Sequence, residues 1–161
     1  MAIIYDLKLR FQALFRPIAA RLVQAGATAN GVTLAALIMS LAQGAAIAFW
    51  PQARWPLLLL PVTLFVRMAL NAIEGIMAKE HDQKSNIGAL FNEISEVVSD
   101  AALYLPFALI AGMNAPLVVL VVVANIIAEM TGVLGPMIGA TRRYDGPFGK
   151  SDRAFGFGAL A

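Results

Sequence analysis

Among the polar side chains between Asn71 and Asp100 in a strongly apolar chain, five are spaced like the rungs of a helix face: Asn71, Glu74, Asn92, Glu96 and Asp100. Arg67, Asn71, Glu74 and Ala78 stand at i, i+4, i+7 and i+11, which is one face of an α-helix. Gly88, Asn92, Glu96 and Asp100 follow at steps of four on a second helix. The short polar segment "EHDQKS" between them makes the two helices antiparallel neighbours, so both faces converge on one polar cavity. Carboxylate and amide oxygens arriving from two helices suit a hard cation such as Mg²⁺ or Mn²⁺. Gly75 and Gly88 carry no side chain and permit close approach of a ligand or of another helix. Lys79 follows where it can meet a phosphate. A purely structural account is also open: Arg67 pairs with Glu96 or Glu129, and the asparagines bond neighbouring helices. A charge at mid-bilayer costs roughly 2.5–3.5 kcal/mol, so a set of this size argues for more than structure.

The elements that must position these residues follow from composition. Of 161 residues, 60% are hydrophobic and 14% charged, with a mean hydropathy of +0.74. A soluble domain averages about 25% charged. Val32 to Trp50 is free of charge, and roughly 20 apolar residues cross a bilayer as a helix. Ala101 to Ala128 is also uncharged, but "GMNAP" divides it into two spans joined by a tight turn. The expected fold is all-α: a polytopic membrane helix bundle in a single domain, residues 1–161. An N-terminal amphipathic interfacial helix covers 3–24, with Pro17 kinking it. Spans follow near 30–50, 56–79, 86–110 and 116–140, and a fifth begins after 151. Thr28 or Asn30 caps the first span, and Trp50 and Trp55 mark a membrane interface. The sequence has no cysteine, which excludes disulfides and thiolate metal sites.

Basic residues set the orientation. Lys8, Arg10, Arg16 and Arg21 precede the first span, Lys79 and Lys84 flank the polar turn, and Arg142, Arg143, Lys150 and Arg153 follow the fourth. The loops expected on the opposite side offer only Arg54. The positive-inside rule puts the N-terminus and the polar cavity on the cytoplasmic side of a bacterial-type inner membrane. Arg142, Arg143, Lys150 and Arg153 either serve that topology alone or also hold an anionic acceptor. No nucleic-acid partner is expected.

The polar frame reads N-x2-E-G-x2-A-K-x8-G-x3-N-x3-E, through Asn71, Glu74, Gly75, Ala78, Lys79, Gly88, Asn92 and Glu96. It resembles the D-x2-D-G-x2-A-R-x8-G-x3-D-x3-D pattern of the CDP-alcohol phosphatidyltransferases. Every spacing matches, and both glycines and the alanine are identical. "ANGVT" resembles that family's entry to its first span. The resemblance covers essentially the whole chain and implies a six-span homodimer, of which this chain lacks most of the last two spans.

The resemblance further implies transfer of a phosphatidyl group from CDP-diacylglycerol to an alcohol acceptor with release of CMP. By position, Asn71, Glu74, Asn92 and Glu96 would hold one or two Mg²⁺ or Mn²⁺ ions, with Asp100 as a further ligand. Glu96 would be the general base. Gly75, Ala78, Lys79 and Gly88 would take the CDP moiety. All four acidic positions depart from the pattern, so these residues bring a charge of −2 where four aspartates bring −4. Lys79 keeps a charge but loses the bidentate fork of arginine. Three states remain open: one metal with transfer, two metals with help from Asp100, or a catalytically silent relative that binds lipid or nucleotide. An ion- or proton-conducting membrane protein accounts for the charges but not for the glycines or the eight-residue gap.

Overall fold

The computed structural model describes residues 2–135 and residue 139, with side chains from residue 12 onward. The described residues form five helices: α1 (Ala2–Gln24), α2 (Ala29–Phe49), α3 (Trp55–Glu80), α4 (Asn86–Tyr104) and α5 (Ala115–Leu134). A 3₁₀ turn, Leu105–Leu109, extends α4. The fold is thus an all-helical membrane bundle. By length and composition, α2, α3 and α5 qualify as membrane-crossing helices among the described residues. α4 is of similar length but carries Glu93, Glu96 and Asp100.

Local chemistry explains where the helices start and stop. α1 runs through Pro17 to Gln24 and is followed by a turn at Gly26, whose φ of +84° favours a residue without a Cβ. There the Ala27 amide donates to the Leu22 carbonyl and the Gly26 amide to that of Val23, closing the last turn. Thr28, not Asn30, caps α2, its hydroxyl accepting from the Gly31 amide at 3.1 Å. Ser85 caps α4 in the same way, accepting from the Gly88 amide at 2.9 Å. Asn114 caps α5, accepting from the Leu117 amide.

The expected span 86–110 is not one continuous α-helix. Pro106 has no N–H to donate to the carbonyl of Ala102, so the α-helical register ends at Tyr104 and the chain tightens into the 3₁₀ turn. That same carbonyl lies against Gly44 of α2: a Cβ there would fall 2.0 Å from its oxygen. Glycine is what lets α2 and α4 approach so closely.

α2 is the keel of the bundle. It packs on both α3 and α4, whereas α3 and α4 have no close backbone approach to one another. α1 packs on α3, with Ala19 fully buried beside Ile73, Ile76 and Met77. A second apolar cluster joins Ile47, Leu60, Leu64, Leu103, Phe107 and Val122 toward the opposite end. Between the two clusters lies a polar layer of Thr33, Ser40, Arg67, Ser95, Ser99, Asp100 and Asn125, all buried. Outward faces are apolar: Leu34 and Ile38 on α2, Phe65 and Val66 on α3, and Leu120 and Ile127 on α5 are exposed within the chain. Such a surface suits contact with lipid.

The expected span boundaries at 30–50 and 56–79 match α2 and α3 within one residue. Beyond α5, residues 135 and 139 are the described part of the expected fourth span, and the start of a fifth after 151 falls outside the described residues.

Candidate functional site

The site is built from three helices. Arg67 and Asn71 rise from α3, Asn92, Ser95, Glu96 and Ser99 from α4, and Thr33 and Ala36 from α2. Together they line a small cavity with room for about one water molecule. Thr33 also donates to the Ala29 carbonyl of its own helix, at 3.3 Å.

Two rungs cross from α3 to α4. On the first, Arg67 pairs with Asp100, its Nη1 bonded to Oδ1, and both side chains are almost wholly buried. The Arg67 Nη2 also donates to the main-chain carbonyl of Glu96 at 3.2 Å. On the second, one turn along each helix, the Asn71 Nδ2 donates to the Glu96 Oε1 at 3.2 Å. A step of four up α3 is therefore a step of four down α4. Carried on, this register brings position 75 level with 92 and position 79 level with 88. The eight-residue gap of the sequence frame is what sets it, because that gap fixes the length of chain between the two helices.

The second oxygen of Asp100 accepts from Asn125 of α5, at 3.4 Å. Asp100 was expected beside the other acidic positions as a further metal ligand. It is instead committed to Arg67 and Asn125, and its charge is offset there. Arg67, for which a pairing with Glu96 or Glu129 was the structural alternative, bonds the Asp100 carboxylate and the Glu96 main-chain carbonyl.

The remaining expected positions sit as follows. Glu74 is half-buried on α3, and Lys79 is exposed near its C-terminal end. A Cβ at Gly75 would meet nothing within 4 Å, so this glycine borders open space. Gly88 differs: a Cβ there would fall 2.8 Å from the Asn30 side chain and 2.8 Å from the Ser85 hydroxyl. Gly88 thus serves helix packing at the start of α4. Arg142, Arg143, Lys150 and Arg153 lie outside the described residues. No group of three or more histidine, aspartate or glutamate side chains converges as a metal cluster among the described residues. The donors of the frame are two carboxylates, Glu74 and Glu96, and two amides, Asn71 and Asn92.

The N-terminal half of the chain is tied to the same end of the bundle. Gln83, in the loop between α3 and α4, accepts from the Ala29 amide at 2.6 Å and donates to the Ala27 carbonyl. Arg16 of α1 pairs with Glu80 at 3.1 Å on the exposed surface. Thr33, Ser95, Ser99 and Asn125 were not anticipated from sequence. Ser95 and Ser99 carried a weak signal, each one residue before a position of the polar face. Thr33 and Asn125 carried none, since nothing in a sequence says which third or fourth helix completes a cavity.

No family model and no solved structure matches the chain. Among curated proteins, the chain is 46% identical over 157 residues to the inner membrane protein YnbA of Escherichia coli strain K12, covering 96% of this chain and 77% of that protein.

Proposed function

The chain belongs to the family of that inner membrane protein, and within it we propose a metal-dependent phospholipid-synthesising transferase, a member of the CDP-alcohol phosphatidyltransferases. It moves a phosphatidyl group from CDP-diacylglycerol to an alcohol and releases CMP. The observation that carries this reading is the shared cavity: Asn71, Asn92 and Glu96, three of the four altered acidic positions, line it together from two helices.

In the proposed reaction the acceptor hydroxyl oxygen bonds to the phosphorus that bears diacylglycerol. The bond from that phosphorus to the CMP oxygen breaks, and CMP leaves with the electron pair. The hydroxyl proton passes to the Glu96 carboxylate, which must come within hydrogen-bond reach of it. Asn71 holds that carboxylate by its Oε1. Gly75, open on its Cβ side, leaves room for the nucleotide, and Lys79 meets its phosphates. Asn71, Glu74, Asn92 and Glu96 would hold a divalent cation, which would supply Lewis-acid polarisation of the pyrophosphate. Charge favours one such ion over two. The two carboxylates balance a single divalent cation, and Asp100 is already paired with Arg67.

One observation favours a second reading, a silent relative that binds nucleotide or lipid. The Asn71–Glu96 hydrogen bond closes the middle of the frame directly, a contact that two ionised aspartates would not make. The test is CMP release by the purified full-length protein, given CDP-diacylglycerol, Mg²⁺ or Mn²⁺ and a panel of alcohols. The transferase reading expects release with at least one acceptor, and its loss in Glu96→Gln with the fold retained. Nucleotide binding without release by any acceptor selects the silent relative. Undiminished turnover in Glu96→Gln removes Glu96 as the base.

A further inference from the structure

We infer that Arg67, which lies outside the frame, is a positioning residue that fixes the turn of α4 presenting Glu96. The inference rests on the proposed role of Glu96 for its catalytic consequence, but not for its geometry.

Arg67 is 6% exposed. A buried guanidinium normally needs partners for several N–H donors. Here one terminal nitrogen bonds the Asp100 carboxylate and the other the Glu96 carbonyl. Glu96 and Asp100 are four residues apart, the two ends of one helical turn. The fork therefore grips a single turn at both ends, and the Glu96 side chain projects from the gripped end. Asn125 secures the far oxygen of Asp100 from α5, so the grip is braced from behind. Asn71, one turn along α3 from Arg67, then meets the Glu96 carboxylate itself. Main chain and side chain of Glu96 are thus both held by α3, although α3 and α4 have no close backbone approach. Arg67 thus adds to the chain length between the helices a main-chain contact that sets the height of Glu96 along α4 relative to Asn71.

Lysine separates this role from a simple ion pair. Lys at position 67 retains the positive charge for Asp100 but presents a single nitrogen, and cannot span both ends of the turn as a planar fork does. If Arg67 serves only to neutralise Asp100, Arg67→Lys behaves as the parent. If it positions Glu96, Arg67→Lys folds but loses catalytic alignment.

Two readouts on the full-length protein decide it. The first is CMP release. Arg67→Lys should lower kcat about 10- to 100-fold, the scale of a small misplacement of a reacting group, with KM for CDP-diacylglycerol within about twofold. The second needs no activity. The chain has no cysteine, so spin labels placed at Met68 and Val98, both exposed on α3 and α4, report the distance between the helices. The distribution should broaden in Arg67→Lys, while a control pair at Ile38 and Leu120 on α2 and α5 stays unchanged. Should Arg67→Lys not fold, Arg67→Gln paired with Asp100→Asn removes both charges together and is read in the same two ways, with the same expectations. An unchanged distribution at Met68 and Val98 overturns the inference, and so does a change in KM alone. A parent protein that releases no CMP overturns the transferase reading instead, and the label distances then judge Arg67 by themselves.

Discussion

Gly44 offers the sharpest test of how the bundle is held. A methyl group at this position would lie 2.0 Å from the Ala102 carbonyl oxygen and 2.8 Å from its carbon. An ordinary C···O contact is about 3.3 Å or longer, so α2 and α4 must separate by roughly 1.3 Å to admit it. The obstacle is main chain and cannot turn aside as a side chain does. Overpacking of this kind costs about 1–3 kcal/mol, and a rigid obstacle places Gly44→Ala at the upper end, about 3 kcal/mol. At roughly 2–4 °C per kcal/mol for a chain of this size, the melting temperature should fall by about 6–12 °C. Gly75→Ala is the matched control. A Cβ there meets nothing within 4 Å, and alanine is the better helix former by about 0.5–1 kcal/mol. Its melting temperature should hold or rise slightly. Thermal unfolding of the detergent-solubilised protein, followed by circular dichroism, compares the two. Equal melting of Gly44→Ala and the parent, or equal loss in both variants, would refute the close approach of α2 to α4.

Smaller effects should follow at the surface. Thr28→Ala and Ser85→Ala each remove a cap that accepts from a main-chain amide, and each should cost about 1 kcal/mol in the same melts. Glu80→Gln breaks an ion pair whose side chains are 54% and 42% exposed. Its effect should stay below about 0.5 kcal/mol and vanish when the melts are repeated in high salt.

Much of the helical layout was readable because membrane helices announce themselves by length and apolarity. The boundaries of α2 and α3 and the Thr28 cap follow from patterns confined to one segment. The polar face was readable for the same reason: Asn71, Asn92 and Glu96 recur at helical steps, and they do meet at one cavity. What escaped depends on other segments. The break after Tyr104 follows from Pro106, whose effect was hidden inside an apolar run. Asp100 looked like one more acidic rung, and only the three-dimensional position of Arg67 takes it out of that set. Gly88 read as a ligand-facing glycine, yet its neighbours are Asn30 and Ser85. Sequence spacing ranks residues on one helix, but it does not say what stands opposite.

The helix that contributes no residue to the frame sets its dimensions. α2 carries both α3 and α4, and Thr33 and Ala36 form its wall of the cavity. The width between the two chemical helices is therefore a property of a third. Bulkier residues at positions 33 or 36 would narrow the chamber, and smaller ones would widen it, while every oxygen of the frame stays in place. In a transferase of the proposed kind, this separates two evolutionary tasks. Acceptor size can drift on α2, and the chemistry on α3 and α4 need not move with it.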